Sequence, residues 1–147
     1  MKRCLLLAMF VIVVIGCARI QSQVMPNTLI TQYKMAYIEP LKEDEFNLYP
    51  AISWELADMG LKVVGTPVPE NPLPTDMLVK YSYVGGCDIQ RYLRGFQVQL
   101  IDAQNKNIVA STSYFKLGLF GTQASRLEDA FNDLRYKLNL PPTKQFK

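Results

Sequence analysis

Along this chain, apolar residues recur at every second position in several short stretches and at every third or fourth in two longer ones. These are the periods of half-buried strands and of helices with one buried stripe. Tyr33 to Glu39 has strand character and stops at Pro40. Glu43, Asp44 and Glu45 follow, where negative charge favours a helix N-terminus. The spacing then predicts a helix from Asn47, as N-cap, to Met59, with Pro50 tolerated in its first turn. Tyr49, Ile52, Leu56 and Met59 fall on one stripe of that helix. Gly60 supplies a left-handed C-terminal position, and Leu61 to Val64 begins a strand at once. Strand, helix, glycine and strand in so short a span predict a βαβ unit with parallel strands.

Pro67, Pro69, Pro72 and Pro74 then mark an extended surface connection, too proline-rich for a central strand. Met77 to Val84 alternates, and Gly85-Gly86-Cys87-Asp88 reads as a turn. Tyr92 to Asp102 and Asn107 to Phe115 form a hairpin around Ala103 to Lys106. Phe96, Val98 and Leu100 share one face with Gln97 and Gln99 on the other, and Ile108, Ala110 and Thr112 alternate against Ser111 and Ser113. Such a sheet has one covered side. In the last element Ser125 and Glu128 have capping-box spacing, and Leu127, Ala130, Phe131, Leu134 and Leu138 form a helical stripe. Pro141-Pro142 ends this helix, and residues 141–147 read as a frayed tail. The order βαββββα predicts an α+β fold over residues 33–140: a two-layer sandwich, with a mixed sheet and both helices on its apolar face. This order, with the helix-glycine-strand join from Leu56 to Val64, resembles small envelope domains typified by the N-terminal domain of TolB and the curli-secretion lipoprotein. The resemblance implies a fold and not an activity.

The first residues follow another pattern. Lys2 and Arg3 precede an apolar run from Leu5 to Ile15, which suits a signal peptide and is short of the ~20 residues that span a bilayer. Val14-Ile15-Gly16-Cys17 completes it and resembles the lipobox of bacterial lipoproteins. An ordinary signal peptide or an uncleaved anchor with a cysteine nearby is the competing reading. The resemblance implies a leader over residues 1–16, cut between Gly16 and Cys17, and a lipidated Cys17 bearing three acyl chains. Each buried methylene adds about 0.8 kcal/mol, so three chains attach the protein in effect permanently. Ala18 stands where Asp would favour inner-membrane retention in Gram-negative lipoproteins. The implied location is the outer membrane, facing the periplasm. Residues 17–32 read as the lipidated cysteine and a polar tether, whose last fifteen or so residues reach at most roughly 50 Å.

That leader alters the charge. Sixteen basic residues stand against thirteen acidic ones, and loss of Lys2 and Arg3 leaves a net of +1. No argument for nucleic acid remains. Cys4 leaves with the leader and Cys17 carries the lipid, so Cys87 has no partner for a disulfide within its chain. Histidine is absent, and with it the commonest general base and metal ligand.

Chemistry is therefore sparse: no cofactor, no metal site and no catalytic residue is assigned. A reactive Cys87 would need a cation such as Arg91 or Arg94, and it reads instead as a half-buried structural thiol. Gly85-Gly86 and Gly118 to Gly121 match no phosphate-binding spacing. Leu117, Leu119 and Phe120 form an apolar lip that packs on the core or on a partner. Paired acids from Glu55, Asp58, Asp88, Asp102, Glu128, Asp129 and Asp133 could in principle cleave glycosides, but caps, turns and solvated helix faces account for most of them. The stronger signal is a polar sheet side bearing Lys80, Ser82, Gln97, Gln99, Ser111 and Ser113, with no helix left to cover it. It is either a solvated face or a docking surface, since amides and hydroxyls both donate and accept. The expectation is a non-enzymatic lipoprotein, anchored through Cys17, that serves an envelope protein partner as scaffold, accessory or assembly subunit. The alternative is a module that binds envelope polysaccharide or peptidoglycan, using this face with Tyr81 or Tyr83.

Overall fold

The computed structural model describes residues 18–65, 67–87, 91–116 and 122–143. Six strands and two helices occur in the order β1 (Ala18–Val24), β2 (Met35–Ile38), α1 (Leu48–Asp58), β3 (Lys62–Gly65), β4 (Asp76–Cys87), β5 (Arg91–Asp102), β6 (Ile108–Lys116) and α2 (Gln123–Lys137). The strands make one mixed sheet in the order β1-β6-β5-β4-β2-β3. Strand β2 lies parallel to both neighbours, and the remaining pairs are antiparallel. Helix α1 packs on β2 and β3, and α2 on β1 and β6, so both cover the same side. The α+β sandwich expected from the order of elements is present, with one strand more than the periodicity predicted.

That extra strand is β1. Residues 18–24 do not form a tether but pair with β6 from Ala18 opposite Lys116 to Val24 opposite Ala110. The folded unit accordingly runs from Ala18 to Thr143 among the described residues. In this polar segment only Ser22 is buried, and Val24 packs partly against the core. Burying a hydroxyl requires a partner, and Thr112 provides it. The single Thr112 proton goes to the Ala130 carbonyl, 2.9 Å away on α2, so Ser22 Oγ donates to Thr112 Oγ1 at 2.8 Å. Lys137 Nζ also donates to the Ser22 carbonyl, which ties β1 to the end of α2.

The core follows the strand alternation. Ala36, Ile38, Met77, Val79, Val98, Leu100 and Ala110 are buried at paired positions of β2, β4, β5 and β6. Ile108 departs from the expected alternation and is 46% exposed. The register shifts between Leu100 and Ile101, which moves the start of β6 out of phase with the rest. Strand β4 likewise continues through Gly85, Gly86 and Cys87, which pair with Leu93, Tyr92 and Arg91 after a second shift at Val84. These glycines are therefore strand residues and not a turn. A Cβ on Gly86 would lie 2.6 Å from the Tyr92 ring and 2.7 Å from Arg94 Cδ, so only glycine lets those side chains cross it undisturbed.

Both helix starts differ in their capping. Asn47 precedes α1 in the left-handed region (φ 52°) and makes no side-chain cap. Asp44 caps instead, accepting from Leu48 N at 2.9 Å and Tyr49 N at 2.8 Å. Helix α2 begins three residues earlier than the Ser125 and Glu128 spacing suggested, with Thr122 as N-cap accepting from Ser125 N. The α1 stripe is Leu48, Ile52, Glu55 and Leu56, with Tyr49 and Met59 only partly covered. Gly60 ends it in the left-handed region as anticipated (φ 91°). At the end of α2, Asn139 takes that conformation (φ 56°) and Leu140 N returns to the Arg135 carbonyl. Thr143 is buried rather than frayed, its N–H donating to Asn132 Oδ1 at 2.8 Å.

Thr112→Val preserves the shape of the side chain but leaves the buried Ser22 hydroxyl without an acceptor. It should cost about 1–3 kcal/mol in urea unfolding. Adding Ser22→Ala should recover part of that loss, and no recovery would show that the hydroxyl pair is not the cause.

Candidate functional site

The sheet side opposite the helices carries the polar residues singled out above, and strand pairing sets them in two rows. Lys80 stands opposite Gln99 and Gln99 opposite Ser111, while Ser82 stands opposite Gln97 and Gln97 opposite Ser113. All six are thus brought together on one surface. Strand β1 lengthens both rows, placing Gln23 beside Ser111 and Gln21 beside Ser113. At the other margin Glu39 Oε2 lies 3.0 Å from Lys80 Nζ, both side chains about half exposed. Such a pair adds little stability. Its effect here is to balance the one cation among the six.

Two shallow depressions interrupt this face. One, of about 180 Å³, is lined by Lys80, Ser82, Gln97 and Gln99. The other, of about 200 Å³, lies over Gly95, with Ser82, Gln97 and Ser113 on one side and Val84 and Phe115 on the other. A Cβ at Gly95 would stand 2.7 Å from the Tyr114 carbonyl and 2.9 Å from the Phe115 ring, so the second depression requires glycine. Gln21, Gln23, Glu39 and Gly95 were missed by sequence reasoning. The alternation Arg19-Gln21-Gln23 was the available signal, masked by a serine at the centre of the buried set.

Tyr81 and Tyr83 border the two depressions but alternate with Lys80 and Ser82 along β4, so their rings belong to the helix side of the sheet. Tyr81 is buried, with its hydroxyl 3.4 Å from Leu41 N and donating to Asp44 Oδ2 at 3.2 Å. Burial and the neighbouring Asp44 carboxylate together raise its pKa. The Tyr83 hydroxyl donates to the Glu43 carbonyl. Both hydroxyls therefore fasten the loop before α1, and the aromatic ring exposed beside the polar rows is that of Phe115.

The other candidate groups occupy structural settings. Cys87 is exposed, not half-buried, at the end of β4 opposite Arg91. The Arg91 guanidinium donates to Glu45, and Arg94 lies 5.6 Å from the Phe115 ring centroid. Asp102 accepts from Tyr33 Oη and from Gln104 N and Asn105 N at the hairpin turn. Asp133 pairs along α2 with Lys137. Cys17, Asp88 and the segment Leu117 to Gly121 lie outside the described residues, and among the described residues no cluster of three or more metal-ligating side chains occurs.

Glu55 and Asp58 do come together, but between the helices. Arg135, with its side chain 2% exposed, donates to Asp58 Oδ2 at 2.7 Å and lies 3.6 Å from Glu55 Oε2. The Thr143 hydroxyl donates to the same Glu55 oxygen at 3.0 Å. Burial pushes the Glu55 carboxyl from 4.5 up to about 7, against the opposing effects of Thr143 and Arg135. An acid with that affinity could exchange protons near neutrality. Here it is enclosed by α1, α2 and the segment ending at Thr143, out of reach of a polymeric substrate.

No family model and no curated protein matches the chain. Solved structures do. The PelC dodecamer from Paraburkholderia phytofirmans is similar with a TM-score of 0.52 and 15% identity, over 85% of this chain and 99% of that one. A PDZ domain protein from Parabacteroides distasonis ATCC 8503 is similar with a TM-score of 0.52 and 13% identity, over 94% of this chain and 39% of that one. At these identities the likeness shows the fold alone.

The Glu55 setting has a pH signature. Between about 4.5 and 7 the folded chain retains a proton at Glu55 that the unfolded chain has released. Its contribution to stability is full below 4.5 and is lost as pH rises through 7. Wild type should therefore lose stability relative to Glu55→Gln across that window in urea titrations. A difference independent of pH would refute this.

Proposed function

We propose that the chain is a lipid-anchored envelope protein that works by binding, holding an envelope protein partner on its open sheet face as a scaffold, accessory or assembly subunit. Lipid attachment at Cys17, with the outer membrane as location, is part of the proposal and rests on the lipobox pattern. The observation that carries the binding role is the pair of polar rows on the side of the sheet that neither helix covers. Amides and hydroxyls spaced by strand pairing offer donors and acceptors at fixed intervals. A catalytic role has less support, because the sequence has no histidine and the acids Glu55 and Asp58 are engaged by Arg135.

The fold likeness to a protein whose solved form is a dodecamer is consistent with a chain that works as part of an assembly. Envelope polysaccharide remains the second reading, supported by the two depressions lined with amides and hydroxyls. It has lost the tyrosines that first suggested it.

Cys17→Ser should abolish palmitate labelling and release the protein from the membrane fraction. Retention of both would overturn the anchor. In crosslinked envelopes, wild type should retain a protein at fixed stoichiometry, and Gln97→Arg with Ser111→Arg should lose it. Gln97 is exposed and Ser111 partly so, and each change should move stability by no more than about 0.5 kcal/mol. Retention of glycan without a protein would favour the second reading, and an undiminished partner in the double variant would remove the face from the interaction.

A further inference from the structure

The anchor and the fold meet without a spacer. Strand β1 begins at Ala18, the residue that follows Cys17, and Ala18 is already paired with Lys116 of β6. Consecutive Cα atoms are about 3.8 Å apart, so a lipid on Cys17 holds one particular end of the sheet at the bilayer. Among the described residues no unpaired stretch separates Ala18 from the sheet.

What lies at that end is suited to the position. The row nearest the anchor on the open side runs from Arg19 through Phe115 and Gly95 to Val84. Phe115 is 40% and Val84 52% exposed, and they flank the polar rows of Lys80, Gln99 and Ser111 and of Ser82, Gln97 and Ser113 on the anchor side. Arg94 lies over the Phe115 ring, which puts a cation beside the exposed aromatic edge. Arg19 is exposed next to it. Beyond this row the β4–β5 pair continues through Gly86–Tyr92 and Cys87–Arg91, so the sheet projects further on the anchor side. Arg91 there is already paired with Glu45, while Arg19 stands in the row itself and Arg94 lies over its Phe115 ring.

From these positions we propose that the anchor end of the sheet is a membrane-contact surface, seated on the phosphate layer of the bilayer that holds the Cys17 lipid. This rests on the lipid attachment proposed above. Arg19 and Arg94 would meet lipid phosphates, and Phe115 and Val84 would enter the boundary between headgroups and acyl chains, where such segments bury to roughly 5–10 Å. Ile108, at the far end of β6, stands seven residues from Phe115, about 24 Å at strand rise. That exceeds the ~8 Å over which surface charge acts at physiological salt, so the far end is outside the field of the headgroups. The polar rows then face sideways, open to a partner lying along the membrane.

The test uses the full lipidated chain in vesicles of anionic phospholipid with brominated acyl chains. With Trp54→Phe to remove the native tryptophan, reporters are introduced singly as Phe115→Trp, Val84→Trp and Ile108→Trp. The expected result is loss of emission at the first two and none at the third. Quenching at Ile108→Trp alone, equal quenching at all three, or none at any in vesicles that carry the protein overturns the proposal and leaves the anchor standing. Failure of the chain to float with vesicles overturns the anchor and the proposal together. Val84→Trp provides an independent reading should Phe115→Trp disturb the Arg94 contact, and circular dichroism of each variant verifies the fold.

Discussion

The two helices lie over opposite halves of the sheet, and the buried Arg135 guanidinium is what joins them. It donates to Asp58 and to the Glu55 carbonyl of α1, and to the Pro141 carbonyl of the segment that follows α2. A buried cation must be met by charge and hydrogen bonds or it costs several kcal/mol. That requirement draws in Glu55, Asp58 and Thr143 as a set. The join of the helices and the burial of the C-terminal segment are consequences of one side chain, which also opposes the rise that burial imposes on the Glu55 carboxyl.

A second polar seam does comparable work at the other edge. Ser22, Thr112 and the Ala130 carbonyl link strand, strand and helix through two hydrogen bonds. Because that seam closes the covered side over β1, the sheet gains a sixth strand, and the amides of that strand widen the open face. The surface on which binding is proposed thus owes part of its extent to hydroxyls buried on the reverse side. The same strand starts the described fold at Ala18, the residue on which the proposed orientation at a membrane depends.

The main elements were legible because their apolar periodicity is strong. Leu127, Ala130, Phe131 and Leu134 mark α2, and Val98 and Leu100 against Gln97 and Gln99 mark β5 with the side it covers. The six polar residues of the open face followed from the same alternation. Element ends were less legible, since caps depend on loop geometry: Asp44 reaches back to α1 across the left-handed Asn47, and Thr122 takes the place of Ser125. Ile108 was misplaced because a register shift reverses facing without altering composition.

The sequence by itself determined the fold class, the parallel βαβ start and the polar side of the sheet, since each depends on residues near one another in the chain. It also supplied the lipobox pattern from which attachment at Cys17 is argued. Tertiary structure decided what to do with polar residues at buried positions. Ser22, Glu55, Arg126 and Arg135 all read as surface from their chemistry, and all are buried. Their partners Thr112, Thr143, Leu93 and Asp58 lie between 33 and 90 residues away. Local pattern reports how apolar a position is. Whether a polar group can be buried depends on a partner that only the folded chain brings within hydrogen-bond distance.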